Sequence, residues 1–207
     1  MYIETEKNAG WRGSRALWLE AARQAFVENG LDAVKIQPLA NHLSLSRTSF
    51  YWFFKDRSAL LDALLEHWEE TNTGALTDAC AAYAETLTEG ILNLISVFIE
   101  EDAFDPRLDF SIRGWAAQSS AVMARVASAD RKRLAAIKAL FTRFGFAAEE
   151  ADVRAHAVYL VQIGYISLQV TEDTQTRVNR AAEYVRTYTG QAPDDRELAR
   201  FRARHSA

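Results

Sequence analysis

The sequence predicts an all-α protein, a small N-terminal helical head followed by a larger helical C-terminal domain, and three observations carry that prediction. Apolar residues recur at i, i+3 and i+4 along nearly the whole chain, the spacing of a helix that buries one face. Only three prolines interrupt its 207 residues. Helix-end signals punctuate the pattern, with Ser46 and Asp56 placed as N-caps and Gly30 and Gly145 as stops.

The first helix is expected from about Ser14 to Asn29, burying Leu17, Ala21, Ala25 and Phe26 and closing at Gly30. Between Ile36 and Lys55 follow two short amphipathic helices joined by a tight turn, a helix-turn-helix. Leu39, Ala40 and Leu43 share one face, Leu45 occupies the turn, and Phe50 and Phe54 give the second helix an apolar side at i, i+4. Ser46 precedes that helix, its hydroxyl placed to accept from the backbone N–H of Thr48 or Ser49. Arg47, Thr48, Ser49, Tyr51 and Trp52 are left outside, and Lys55 follows. A short helix with an Arg, two hydroxyl residues and a Tyr on its free side suits a DNA groove. Asp56 then caps a fourth helix carrying Leu60, Leu61, Leu64, Leu65 and Trp68, whose acids Glu66, Glu69 and Glu70 form a solvated face.

Thr71-Asn72-Thr73-Gly74 marks the boundary, giving a head over residues 11–70 and a C-terminal domain over 71–207. Five helices are expected in the latter: Leu76 to Glu101, Pro106 to Gln118, Ser120 to Phe144, Ala148 to Val170 and Thr174 to Thr189, with a tail helix from Asp194 to Arg204. Arg131, Lys132, Arg133 and Lys138 are expected on a solvated face. The helix from Ala148 is apolar on more than one side. Val153, Ala157, Leu160, Val161, Gly164 and Leu168 line one face, and Val178, Ala181 and Val185 add to it from the next helix, so the pair forms a candidate dimerisation surface.

The net charge of −4 is unevenly spread. Residues 7–58 hold eight Lys/Arg (Lys7, Arg12, Arg15, Arg23, Lys35, Arg47, Lys55, Arg57) against four acids (Glu20, Glu28, Asp32, Asp56), so this window is +4 and the remainder −8. A basic head on an acidic chain concentrates nucleic-acid attraction in one place. Cys80 is the only cysteine, which excludes an intrachain disulfide and a cysteine metal site and fits a reducing cytoplasm; it is expected as a buried thiol. The first residues are polar and acidic, unlike a signal peptide, and the uncharged run Ala155 to Thr171 contains His156, Gln162, Ser167 and Gln169, so a buried soluble helix is expected there and no membrane partner. No Gly-rich phosphate loop, HExxH motif or spaced nucleophile set is present, so no catalytic residue, metal or cofactor is assigned and no enzyme is expected.

From about Gly13 to Leu65 the chain resembles the tetracycline-repressor (TetR) family of transcriptional regulators. The residues carrying the resemblance are Ala22-Arg23-Gln24-Ala25-Phe26-Val27-Glu28-Asn29-Gly30-Leu31-Asp32-Ala33, Leu39-Ala40, and the run Ser46 to Leu61 with its Phe50-Tyr51-Trp52-Phe53-Phe54-Lys55 core. Ser44 stands where the family usually has Gly, and Phe53 where it often has His. The resemblance implies a homodimer that presents two recognition helices to a palindromic double-stranded operator. In it, Arg47 would pair with guanine, Thr48 and Ser49 would serve bases or phosphates, and Tyr51 and Lys55 would hold the phosphate backbone alongside Trp52. Arg12 and Arg15 would grip the backbone or an adjacent minor groove. It further implies a small-molecule effector site in the C-terminal helices, for which Phe98, Phe104, Phe110, Trp115, Phe141, Tyr159 and Tyr165 offer apolar lining and Arg113, Gln118, His156 and Gln162 polar anchors. The rival reading is an all-helical ligand-binding or scaffolding protein without DNA activity.

Overall fold

The computed structural model describes residues 13–100 and 103–206, which divide into two compact units, one ending at His67 and one beginning at Trp68. Helix α1 (Arg15–Asn29) opens on Ser14, whose hydroxyl accepts from Leu17 N at 3.1 Å, and stops at Gly30, where φ of +79° suits glycine. It buries Trp18, Ala21, Ala22 and Phe26. That face is rotated by about one residue from the expected one, because Trp18 is the larger group to hide; Leu17 and Ala25 are only half-buried. A 3-10 turn (Leu31–Ala33) leads to α2 (Ile36–His42), α3 (Arg47–Phe50) and α4 (Arg57–Trp68). All the described helices of this unit converge on Trp18, Leu39, Ala40, Phe50, Leu60 and Leu64, none more than 2% exposed.

The second unit begins with a π-helical segment (Glu69–Thr73) and continues through α5 (Gly74–Ala81), α6 (Leu87–Ile99), α7 (Pro106–Ala116), α8 (Ser120–Arg143), α9 (Ala148–Ser167), α10 (Thr174–Thr189) and α11 (Asp195–Arg204). The single helix expected from Leu76 to Glu101 is therefore two. Thr86 breaks it: its backbone is extended and its hydroxyl accepts from Glu89 N at 3.1 Å, while the Glu89 carboxylate accepts from Glu85 N at 2.8 Å. The Thr86-Leu-Thr-Glu89 spacing is that of a capping box, a stronger local signal than the alanine-rich periodicity before it. Pro106 sits in the first turn of α7, as expected, behind the Asp105 cap. Among the described residues no helix is long and apolar enough to cross a membrane.

The core of this unit joins Ile91 and Leu94 of α6, Ile137 and Phe141 of α8, Val158 of α9 and Val178 and Val185 of α10. Beside it lies a buried ionic cluster. Asp109 and Arg133, both with fully buried side chains, pair at 2.9 Å. Asp109 also accepts from Trp68 Nε1 at 2.8 Å and Arg113 Nε at 2.7 Å; Arg113 reaches on to Asp130 at 2.7 Å, and Tyr159 donates to Asp130 at 2.6 Å. Burial alone would raise the Asp109 carboxyl, but the Arg133 and Arg113 guanidiniums outweigh it and hold it below its ordinary value. The Arg133 guanidinium lies 5.0 Å from the Trp68 ring and 5.5 Å from that of Phe104. Arg133 is thus no part of a solvated face, unlike its exposed neighbours Arg131 and Lys132. A tail strap completes the unit: buried Glu197 of α11 forms a capping box with Asp194 and accepts from Thr86 and Thr88 ahead of and within α6.

Candidate nucleic-acid interface

Helix α3 is one turn long, too short to persist alone, so its neighbours must hold it. Ser46 caps it, its hydroxyl accepting from Ser49 N at 3.2 Å. Phe50 is fully buried, meeting Trp18 edge-on at 5.3 Å and stacking on Phe54 at 5.5 Å. The preceding turn tightens through Ser44, a serine at φ +55° in the left-handed region where glycine is favoured. Gly13 packs so near this turn that a Cβ on it would sit 2.8 Å from Leu45 Cδ1. On the other side Arg57 donates from Nε to Val34 O at 2.5 Å and from Nη2 to Leu31 O at 2.8 Å, fixing the strand of chain that enters α2.

The outer side of this frame carries the expected groups with one exception. Arg47, Thr48, Tyr51, Trp52 and Lys55 are exposed, Trp52 at 63%. Arg47 Nη2 donates to Tyr51 OH at 3.2 Å, with its guanidinium 6.0 Å from that ring, so the longest side chain on the face is held by its own helix. Arg15 stands exposed at the start of α1, 5.3 Å from the Phe54 ring and 4.0 Å from Glu66. Arg12 lies outside the described residues. Ser49 is the exception: it is 5% exposed and its hydroxyl donates to Ser46 O at 2.6 Å. It cannot reach a base or phosphate, because a residue three positions after the cap on so short a helix turns back beneath it. Trp18 and Arg57 are the supporting residues that the sequence reading passed over. The i, i+8 pair of aromatics Trp18 and Phe26 would have pointed to the first; no local pattern announces the second.

The residues expected around an effector scatter. Phe98, Gln162 and Tyr165 do meet, lining a narrow pocket with Ile95, Ile99, Arg177, Arg180 and Tyr184 between α6, α9 and α10. Its water-accessible volume of about 20 Å³ is the room of one or two water molecules. Arg113 and Tyr159 belong to the ionic cluster, Phe104 packs edge-on to Phe98 at 5.1 Å, Phe141 is core, and Trp115 is half-buried on α7. Phe110 and Gln118 face outward on α7 and just after it. His156 is also outward, 46% exposed with Nδ1 2.8 Å from Asp152 O, since it falls on the free side of α9.

That free side is the expected apolar stripe. Val153, Leu160 and Leu168 are 69%, 58% and 78% exposed, with Ala157 exposed and Val161 and Gly164 half-buried among them. Val178, Ala181 and Val185 do not join it. They are buried in the core of their own unit, at 4% exposure or less, because the apolar face of α10 is consumed by α6 and α9.

A family model described as bacterial regulatory proteins, tetR family, matches residues 19–64. No curated protein sequence matches the chain. Among solved structures, a protein of Mesorhizobium loti described as a TetR-family transcriptional regulator is 15% identical over 85% of this chain and 95% of its own, with a TM-score of 0.62. A transcriptional regulator of Aquifex aeolicus is 13% identical over 84% and 99%, with a TM-score of 0.64. GusR of Salmonella enterica is 21% identical over 92% of each chain, with a TM-score of 0.59. At these identities the likeness is one of fold. Residues 19–64 are a tetR-family N-terminal domain, carried on an all-helical chain with the fold of TetR-family transcriptional regulators.

Proposed function

We propose that the protein is a cytoplasmic, sequence-specific DNA-binding repressor that works as a homodimer and leaves its operator when a small, largely apolar effector binds the C-terminal domain. The observation that carries the DNA reading is the division of labour on α3: Phe50 is buried beneath it while Arg47, Thr48, Tyr51, Trp52 and Lys55 are exposed to solvent above. Arg47, in the first turn, is placed to bond guanine O6 and N7, and the Thr48 methyl and hydroxyl suit thymine or a phosphate. Tyr51, Trp52, Lys55 and Arg15 fit the sugar-phosphate backbone. The exposed α9 stripe supports the dimer, since so much aliphatic surface on one helix calls for a partner. Two α3 helices related by a two-fold axis would read half-sites about 34–36 Å apart on one face of the duplex.

Gel-shift titration on DNA flanking the protein's own coding region tests this. Arg47→Ala is expected to cost roughly 1–3 kcal/mol and to relax preference at one operator position, whereas Lys55→Ala weakens every sequence alike and lowers the salt slope by about 1. Equal losses on operator and random DNA for Arg47→Ala would remove its base-reading role, and no retardation of any such fragment at low salt would refute the regulator.

A further inference from the structure

Helix α4 runs directly into the segment Glu69–Thr73, and α5 follows it at Gly74. The segment is π-helical: Gly74 N–H bonds to Glu69 O, five residues back instead of four. Such a turn holds one more residue than an α-helical turn, is rare, and recurs at functional sites. Here side chains fix it in place. Glu69 accepts two bonds from Arg125, at 2.8 and 2.9 Å. The fully buried Asn72 amide donates to Asp105 O at 2.9 Å and accepts from Asp105 N at 3.1 Å.

The decisive contacts come from Trp68 and Thr73, five residues apart, which converge on one ion pair. Trp68 Nε1 donates to Asp109 at 2.8 Å, Thr73 Oγ1 accepts from Arg133 Nε at 3.0 Å, and Arg133 Nη1 donates to Asp109 at 2.9 Å. In a continuous α-helix, five residues at about 100° each would aim these two side chains roughly 140° apart. The short Thr73 side chain would then leave the pair that Trp68 keeps. The i→i+5 turn brings both back toward one side. The margin in its favour is small. Arg133 Nη2 is buried with no partner among the described residues, a cost that offsets part of what the pair contributes.

We propose that residues 69–73 are a two-register joint. The Asp109–Arg133 pair holds the π register, and a slip to continuous α-helix frees Thr73 and turns α4 about its axis by one residue's angle, roughly 100°. Its consequence for operator affinity rests on the DNA reading above, because turning α4 re-aims the head of which it is part. The joint itself is read without DNA.

Spin-label distances test it in the full chain, with labels on Asp62→Cys and Asp78→Cys, exposed positions of α4 and α5, in a Cys80→Ala background diluted with unlabelled protein. Deleting Glu70, an exposed residue, removes the additional one. From a π-turn the deletion leaves the flanking helices in phase, so the label distance should stay within about 2 Å of the parent's; from a plain α-helix it would turn them by roughly 100° and displace the labels by several ångströms. Thr73→Val removes the acceptor of Arg133 Nε and should add a second, displaced distance population. Thr73→Ser keeps the hydroxyl and should show the parental distance alone, as should Thr73→Val combined with the deletion. Should the deletion unfold the chain by circular dichroism, Thr73→Val against Thr73→Ser carries the comparison. A displaced distance in the folded deletion variant, or the parental distance alone in Thr73→Val, would overturn the joint. Gel shifts separate the two readings. Equal operator affinity of Thr73→Val with and without the deletion would overturn the link to DNA, while no retardation by any variant or the parent would refute the regulator and leave the label distances to decide the joint.

Discussion

Asp109→Asn is the most informative perturbation of the C-terminal unit. The carboxylate is fully buried and receives three donors, Trp68 Nε1 at 2.8 Å, Arg113 Nε at 2.7 Å and Arg133 Nη1 at 2.9 Å. Asparagine keeps the shape but halves the acceptors and aims an amide N–H at a guanidinium. It also leaves Arg133, whose side chain has no solvent exposure, without its counter-charge. Breaking a buried pair from one side costs about 3–5 kcal/mol, whereas replacing both members by apolar groups of similar volume is close to neutral. Urea unfolding followed by circular dichroism should therefore show a loss of about 3–5 kcal/mol for Asp109→Asn, partly recovered in Asp109→Leu with Arg133→Met, which removes the orphaned guanidinium but leaves Trp68 Nε1 without its acceptor. The pH dependence has a definite sign. The folded carboxyl titrates below its unfolded value of 3.8, so its contribution is complete above that value and is lost as pH falls through the folded one. Acid unfolding of the wild type should steepen below about pH 4, and the Asn variant should lack that component. A loss under about 1 kcal/mol, or an unchanged acid limb, would show that the cluster is solvated in solution and would remove the argument.

Three further outcomes follow from named contacts. Ser44→Gly relieves a left-handed serine; against a strain of about 1–2 kcal/mol the looser unfolded chain takes back about half, so the head should gain roughly 0.5–1 kcal/mol in thermal unfolding, and a loss would contradict the turn geometry. Leu160→Asp places a charge in the α9 stripe, and because a two-fold interface carries it twice, sedimentation should show dimer association weakened by roughly a hundredfold or more with helicity unchanged; an unaltered dimer would move the interface elsewhere. Cys80 is 4% exposed and burial pushes its thiol up to about 12, so a thiol reagent at pH 8 should label it only after denaturation, and rapid native labelling would refute its burial.

Sequence pattern revealed which helices exist far better than what each face meets. Periodicity located α1 to α4 and α7 to α11, because apolar spacing and caps are local signals. Where it failed, a partner distant in sequence decided the outcome. Arg133 sits in a run with Arg131 and Lys132 that looks solvated, yet Asp109, 24 residues earlier, neutralises it and turns it inward. Ser49 is a hydroxyl residue like exposed Thr48, but the bond to Ser46 O withdraws it from the outer face of α3.

The α9 and α10 faces make the same point about function. Both helices are apolar, and sequence assigned both to one dimer surface. Packing separates them: α6 covers Val178, Ala181 and Val185, and among the residues described nothing covers Val153, Leu160 or Leu168. A surface that pairs copies of the chain must be both apolar and left over after the monomer has folded, and only the second condition requires the structure. In the proposed dimer the interface would therefore be carried by the α9 stripe, with α10 offering the polar residues Asn179, Glu183 and Arg186 on its exposed side. An interface of that composition, aliphatic along its centre and charged at its edge, should weaken only modestly with salt while remaining sensitive to a single charge at Leu160.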